Sequence, residues 1–426
     1  MELKFKVLVI GGAYGGLGAV TNLLDLTHGK RPRFDSSSDP LESESKFPVE
    51  ITVVDERDGY VHLIGNPLAL ADRDYAHKIW QRFSDIPGLR NAPNLTFIQG
   101  TVTSLSPSTR TAIISKASSI PGGPVETVSQ SYDYCIVATG LRRVWPTVPS
   151  AHTKAGYLSE ALAHLDRVGS ASAKQHGVVV IGGGAVGIEM AAELKHASAH
   201  HSSDHGATLP VTLVHSRARL LSAEPLPDKF AETAAELLKK TGVELKLGAR
   251  VLETTKVSEE PELWELRLST GEVMRAAVVI TAISGQHPTG REFLPKEAVD
   301  EAGYVHIDAN LAIKNLPEGH FCVGDTVKWS GIKRAGAAMW MGGLAARNIH
   351  RRMLVARGEK KAGELKDSEI DPIPPMMALA VGNEAVGYSD AEGVKAGADV
   401  RKMMFGDDLG WAICWNHMKL GEEFKP

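Results

Sequence analysis

Two sets of glycines in this 426-residue chain have the spacing to hold a pyrophosphate. Gly11, Ala13 and Gly16 occupy the three positions of a G-x-G-x-x-G pattern, with alanine in the middle slot. Gly182, Gly184 and Gly187 fill all three positions about 170 residues later. Between a strand and a helix, such glycines let the backbone approach a pyrophosphate, whose charge falls on the free N–H groups of the helix start. One degenerate copy can be a tight turn without a ligand. Two copies point to two dinucleotide sites.

Other residues supply the chemistry around them. Asp55 ends the expected strand 49–54, where a carboxylate accepts hydrogen bonds from ribose hydroxyls. The corresponding end of run 211–214 carries His215, Ser216 and Arg217, with Arg219 behind. An acid there repels a 2′-phosphate, whereas these side chains can bind it, which favours NADPH without excluding NADH. Ala138-Thr139-Gly140 and Gly324-Asp325 put small residues at strand ends, where backbone passes close to a cofactor. His62, in an apolar passage, is either a structural residue or a cofactor contact. Cys135, Cys322 and Cys414 form no C-x-x-C pair, which argues against a redox dithiol or a cysteine-held metal. The histidines near position 200 read as a solvated loop, so no metal site is expected.

The runs 7–10 and 178–181, which lead into the two glycine sets, are apolar and β-branched, as in parallel strands buried on both faces. Each glycine set then opens a helix, over 17–26 and 190–195. Residues 155–168, 228–240 and 335–352 read as further helices, the last opening on small residues that could abut a ring system. Polar stretches 27–48 and 197–210 read as surface insertions. The fold class is α/β, with two Rossmann-like domains. The expected division is 1–148 with 282–370 for the first site, 149–281 for the second, and a small α+β segment over 371–426. Trp411 and Trp415, four apart, read as core packing or as a membrane or partner face.

Composition is that of an ordinary soluble enzyme: 43% hydrophobic, 23% charged, net charge −4. Nothing basic enough for nucleic acid is present, nor a run of ~18 apolar residues. The start has neither a signal-peptide pattern nor a Met-Gly myristoylation site, so an intracellular, cytoplasmic protein is expected.

Together, the two fingerprints, the A-T-G strand and the late G-D resemble the two-dinucleotide-binding flavoproteins of the glutathione reductase type. The segments V-V-V-I-G-G-G-A-V-G-I-E-M-A-A-E-L-K (Val178–Lys195) and V-T-L-V-H-S (Val211–Ser216) are most similar to the apoptosis-inducing-factor-like branch known as AMID or ferroptosis suppressor protein. Type II NADH dehydrogenases are similar at greater distance. This resemblance implies FAD held by Gly11, Gly12, Ala13, Gly15 and Gly16, with Asp55 on its ribose, Val102 by adenine, Thr139 and Gly140 by the flavin, and Asp325 on the ribityl or phosphate portion. Tyr14, Glu56, Arg57, His62, Ala138 and Gly324 join the expected cofactor contacts. Gly182, Gly184, Ala185, Val186, Gly187, His215, Ser216, Arg217 and Gly285 are the expected nucleotide-side positions. Glu189 matches a family glutamate near the nicotinamide, and Lys333 a family lysine near the isoalloxazine. These two are the expected catalytic residues.

Three positions depart from the family: Ala13, the missing myristoylation start, and Phe405, where the family has lysine on the acceptor side. The implied activity is hydride transfer from NAD(P)H to FAD, then electron transfer to a quinone-like acceptor or oxygen. A flavin oxidase or monooxygenase acting on a small molecule, and a redox-responsive binding protein, are the alternatives. Peripheral membrane contact through the C-terminal segment is consistent with the pattern, and the oligomeric state is left open.

Overall fold

A computed structural model describes residues 4–33, 43–118, 123, 125–201, 208–283 and 287–425. The first glycine set lies between β1 (Phe5–Ile10) and α1 (Tyr14–Thr27). β1 is flanked in parallel by β2 (Val49–Asp55), with Val7 opposite Ile51. β3 (Leu95–Ser106) runs parallel to β2 through its first half, then turns into an antiparallel meander with β4 (Thr111–Lys116) and β5 (Thr127–Ser131). On the other side of β1 lies β6 (Tyr134–Val137), whose four residues are all buried. After α2 (Lys154–Val168) the second glycine set joins β7 (Val178–Ile181) to α3 (Ala185–His201).

β7 is the centre of a second sheet with β8 (Val211–His215), β9 (Glu244–Leu247) and β13 (Val278–Thr281), in the order β9-β8-β7-β13, all parallel. Between β9 and β13 the chain makes an antiparallel sheet of β10 (Val251–Glu259), β11 (Glu262–Leu268) and β12 (Val273–Ala276). α4 (Asp228–Thr241) precedes β9 and buries Phe230, Ala234 and Leu238. The chain then returns to the first sheet as β14 (His320–Cys322), completing the order β14-β6-β1-β2-β3-β4-β5. This is the α/β, two-Rossmann arrangement expected from the sequence.

α1 is buried along its whole length, because it is sandwiched between that sheet and α5 (Ala335–Ala356). Three of its polar side chains are satisfied within the helix: Thr21 and Thr27 hydroxyls donate to Leu17 O and Leu23 O at 2.8 Å each, and Asn22 Nδ2 to Gly18 O at 2.6 Å. A Cβ on Gly342 would come within 2.3 Å of Gly15 O. The small residues of α5 therefore serve chiefly to bring two helices together, while its N-terminal end, to Met339, faces the cleft.

The insertion expected over 27–48 is anchored at both described ends, unlike a solvated loop. Arg33 pairs with Asp25 at 2.8 Å, its backbone N–H donates to Asn22 Oδ1 at 2.9 Å, and Phe47 is buried and stacks on His350. Residues 197–201 continue α3 rather than forming a loop, and 202–207 of the histidine-rich stretch lie outside the described residues. No helix among the described residues is long and apolar enough to cross a membrane.

The C-terminal segment folds as β15 (Met377–Val381), β16 (Glu384–Ser389) and β17 (Gly393–Gly397), antiparallel, followed by α6 (Ala398–Phe405) and α7 (Trp411–His417). Trp411 is 7% exposed and stacks on Trp415 with ring centroids 4.9 Å apart, so the pair is core packing. Ile413 between them faces out at 45% exposure.

Candidate active site

The two fingerprints fold alike for a steric reason. A Cβ on Gly16 would lie 1.8 Å from Gly11 O, and one on Gly187 would lie 1.9 Å from Gly182 O. Only glycine lets each helix start so close to the strand that feeds it. The loop amides are then organised by the neighbouring strand end. Gly12 N–H donates to Asp55 Oδ2 at 2.6 Å, and Arg57 N–H to Asp55 Oδ1 at 2.8 Å. Burial raises the Asp55 carboxyl above its usual range, against the lowering effect of Arg57 and these amides. In the second fingerprint, Gly183 N–H donates to His215 Nδ1 at 3.1 Å.

Both loops open on one cleft of about 1230 Å³. The first contributes Gly11, Ala13, Tyr14 and Gly15, with Asp55, Glu56 and Arg57 beside it. Val102 and Ala138-Thr139-Gly140 line the same wall, and Gly324, Asp325 and Lys333 close it. The second contributes Gly184, Ala185, Val186 and Glu189. A Cβ built on Gly140 or Gly184 meets nothing within 4 Å, so both glycines leave open space on the cleft side. Arg57 Nε and Arg334 Nε line the cleft, buried, with no hydrogen-bond partner among the described residues. A large anionic dinucleotide fits this lining: room at the glycines, and guanidinium donors awaiting an acceptor.

The pyridine nucleotide-disulphide oxidoreductase family pattern matches residues 5–342. The chain belongs to that family. FAD and NAD(P)H are accordingly its cofactors. The chain is 44% identical to oxidoreductase OXR1 of Ajellomyces capsulatus over 98% of its own length and 88% of that protein. It is 24% identical to ferroptosis suppressor protein 1 of Homo sapiens, over 80% of this chain and 79% of the other. Among solved structures, NDH2 from Plasmodium falciparum in complex with NADH superposes with a TM-score of 0.69 at 12% identity, covering 98% and 97% of the two chains. Despite the family's name, Cys135, Cys322 and Cys414 are all buried and unpaired here.

Several expected positions stand behind the family cleft rather than on it. Gly12, Gly16, Gly182 and Gly187 shape the loops from beneath. His215 supports Gly183, and Arg217 is exposed with its guanidinium on Ser222. Ser216, also exposed, does not line the cleft, and Gly285 lies outside the described residues. His62 is fully buried and does not line the cleft. Its Nε2–H donates to Leu409 O at 2.9 Å, so Nδ1 is the acceptor facing the Tyr14 and Tyr60 hydroxyls at 3.1 and 3.2 Å. Burial lowers its pKa to about 4, and the ring is neutral.

The two expected catalytic side chains face the cleft from opposite elements. Lys333 Nζ donates to Val327 O at 2.6 Å, and burial lowers its pKa while Asp325 raises it. Glu189 is 9% exposed, and Oε1 accepts from Ala380 N–H of β15 at 3.3 Å. Burial pushes the Glu189 carboxyl up to about 8.

Sequence reasoning missed an arginine pair and all of a wall but Phe405. Arg142 bridges Glu56 and Glu292 at 2.8 Å, and Arg143 lines the cleft and lowers the Asp325 carboxyl against its burial. The signal was present as two arginines directly after A-T-G-L. The wall is made of Met403, Met404, Phe405, Leu409 and Ile413 from α6, α7 and the turn between them. Phe405 was expected on the acceptor side from its place in the resemblance; its neighbours carry no motif, and only the packing of the C-terminal segment brings them to the cleft.

Proposed function

We propose that the chain is an FAD-dependent NAD(P)H oxidoreductase of the quinone-reducing, apoptosis-inducing-factor-like type, with NADPH the preferred donor. One observation carries this reading: both glycine loops, Glu189, Lys333 and an apolar C-terminal wall line a single cleft. In the proposed division, residues 1–148 and 282–370 hold FAD, 149–281 hold the nucleotide, and 371–426 cover the acceptor side. Bound there, FAD supplies the two-electron chemistry between donor and acceptor.

The residues of the chain hold and orient. The Gly11–Gly16 loop and the start of α1 receive the FAD pyrophosphate, with Asp55 on its ribose. The Gly182–Gly187 loop receives that of the nucleotide. Lys333 and the N-terminus of α5 supply positive potential where negative charge grows on the bound ring. His215 in place of an acid, with Arg217 exposed nearby, removes the repulsion a 2′-phosphate would meet.

The acceptor wall is apolar and partly open, with Met403 63% and Met404 45% exposed. That surface suits a hydrophobic quinone, which binds by its apolar area and a small polar head. The relatives named ferroptosis suppressor and NDH2 are compatible with this reading. Steady-state NADPH oxidation with a short-chain ubiquinone, compared with oxygen as sole acceptor, tests it. At least tenfold faster turnover with the quinone is expected. Turnover with oxygen alone, coupled to oxygenation of an added small molecule, would replace this reading with that of a monooxygenase.

A further inference from the structure

Glu189 is the first of two buried acids on α3. One turn on, Glu193 is 1% exposed and does not line the cleft. Its Oε1 has no hydrogen-bond partner among the described residues. Arg401 Nη2 of α6 stands 3.8 Å from that oxygen, with only 11% of the arginine side chain exposed. The guanidinium is already committed to two backbone carbonyls: Nε donates to Gly382 O at 3.2 Å and Nη1 to Gly406 O at 3.0 Å.

Two buried carboxyls one helical turn apart therefore have a single cation near them, which stands beside Glu193 and acts on Glu189 only through its field. The elements packed on α3 offer little else: β7 (V-V-V-I), β15 (M-A-L-A-V) and the short helix Asn66–Ala69 carry no ionisable residue. α4 turns Phe230, Ala234 and Leu238 inward, and β8 contributes only His215, at the fingerprint end. Tyr75, from the helix Arg73–Lys78, faces the Glu193 side and donates its hydroxyl to Asp408 O at 2.6 Å. In such surroundings two carboxyls do not both ionise at neutral pH. The pKa directions agree: burial raises both groups, Glu189 to about 8 and Glu193 to about 7, while Arg401 lowers both.

We propose that Glu193 and Arg401 form a proton store behind Glu189, in which the two carboxyls share one proton and Arg401 sets how tightly it is held. The use of that proton rests on the quinone-reductase reading. Converting a quinone to a hydroquinone takes two electrons and two protons. NAD(P)H supplies both electrons and one proton as a hydride equivalent. The second proton leaves Glu189 for the acceptor oxygen, and the pair takes one back from water. Glu193 touches neither substrate nor cofactor; it is a positioning residue for Glu189.

The test uses the full FAD-loaded chain. Infrared difference spectra across a pH titration report a protonated carboxyl directly, with no acceptor present. At pH 7 the wild type is expected to show that band, Glu189→Gln with Glu193→Gln together to lose it. In short-chain-ubiquinone reduction, Glu193→Gln removes the neighbouring negative charge and moves the alkaline limb of the rate profile down by about one pH unit. Arg401→Met moves it up by a similar amount, and Arg401→Lys restores it. No carboxyl band at pH 7, or both single variants leaving the limb in place, overturns the proposal. A wild type that shows the band but does not reduce quinone contradicts the quinone reading and the use of the proton, leaving the shared proton itself established.

Discussion

Gly183 N–H donates to His215 Nδ1 at 3.1 Å, in the place where Gly12 N–H donates to the Asp55 carboxylate at 2.6 Å. The same loop amide is held in both halves, by a neutral ring in one and an acid in the other. His215 Nε2 faces Ser222 Oγ at 3.4 Å, and burial lowers its pKa. In the proposed assignment of the second half to NAD(P)H, that exchange is what discriminates between the two nicotinamide nucleotides. His215→Asp is expected to keep the loop bond, supply an acceptor for the ribose hydroxyls and repel a 2′-phosphate. The ratio of kcat/KM for NADPH over NADH should fall about tenfold or more, equivalent to about 1.4 kcal/mol. An unchanged ratio, measured in steady state with both nucleotides, would place specificity elsewhere.

The matched glycine contacts give a way to test the proposed assignment of one cofactor to each half. Gly187→Ala pushes a methyl against Gly182 O, from which its Cβ would be only 1.9 Å away, while the first fingerprint is untouched. The variant should purify yellow with full FAD yet bind NADPH at least about tenfold more weakly. Absorbance of the purified protein and a nucleotide titration read both quantities. Loss of flavin from this variant, with nucleotide affinity preserved, would reverse the assignment of the two halves.

The raised Glu189 carboxyl has a stability signature. The folded chain keeps its proton up to about pH 8, while the unfolded side chain loses it near 4.5. Between these values the folded state binds more protons, so stability falls as pH rises, by about 1.4 kcal/mol per unit for one group. Below the lower value both states are protonated and the effect vanishes. Glu189→Gln should therefore raise Tm relative to wild type little at about pH 5 and progressively more toward about pH 8. A Tm difference that does not change with pH would mean the carboxyl is ionised in the fold.

Phe405 is 7% exposed, packs with Val400 and Leu409, and lines the cleft. Phe405→Ala is expected to cost about 3 kcal/mol in denaturant unfolding. It should also raise KM for the quinone several-fold while leaving KM for NADPH close to wild type. An effect on NADPH alone would remove the C-terminal wall from the acceptor side.

How much of this was legible in the sequence depended on the range of the interaction. Two tight strand–turn–helix units are local, so Gly11 to Gly16 and Gly182 to Gly187 announced them by spacing, and Asp55 and His215 followed as the ends of the next parallel strands. The return of the chain as β14 was readable from F-C-V-G-D. Long-range pairings were not. Arg33 buried on Asp25, His62 tied to Leu409, and Arg401 beside Glu193 each join residues far apart in the chain or on different elements, with no periodic signal. The small residues of α5 show the limit from the other side. Their composition signalled close approach, but the partner that approaches is mainly α1.

Anaerobic titration of the purified protein with NADPH, followed by a short-chain ubiquinone, tests the central claim most directly. The expected result is a flavin absorbance that bleaches with one equivalent of NADPH and returns within seconds of adding the quinone. A colourless protein that takes up no FAD, or a flavin that NADPH and NADH both fail to bleach, would contradict it.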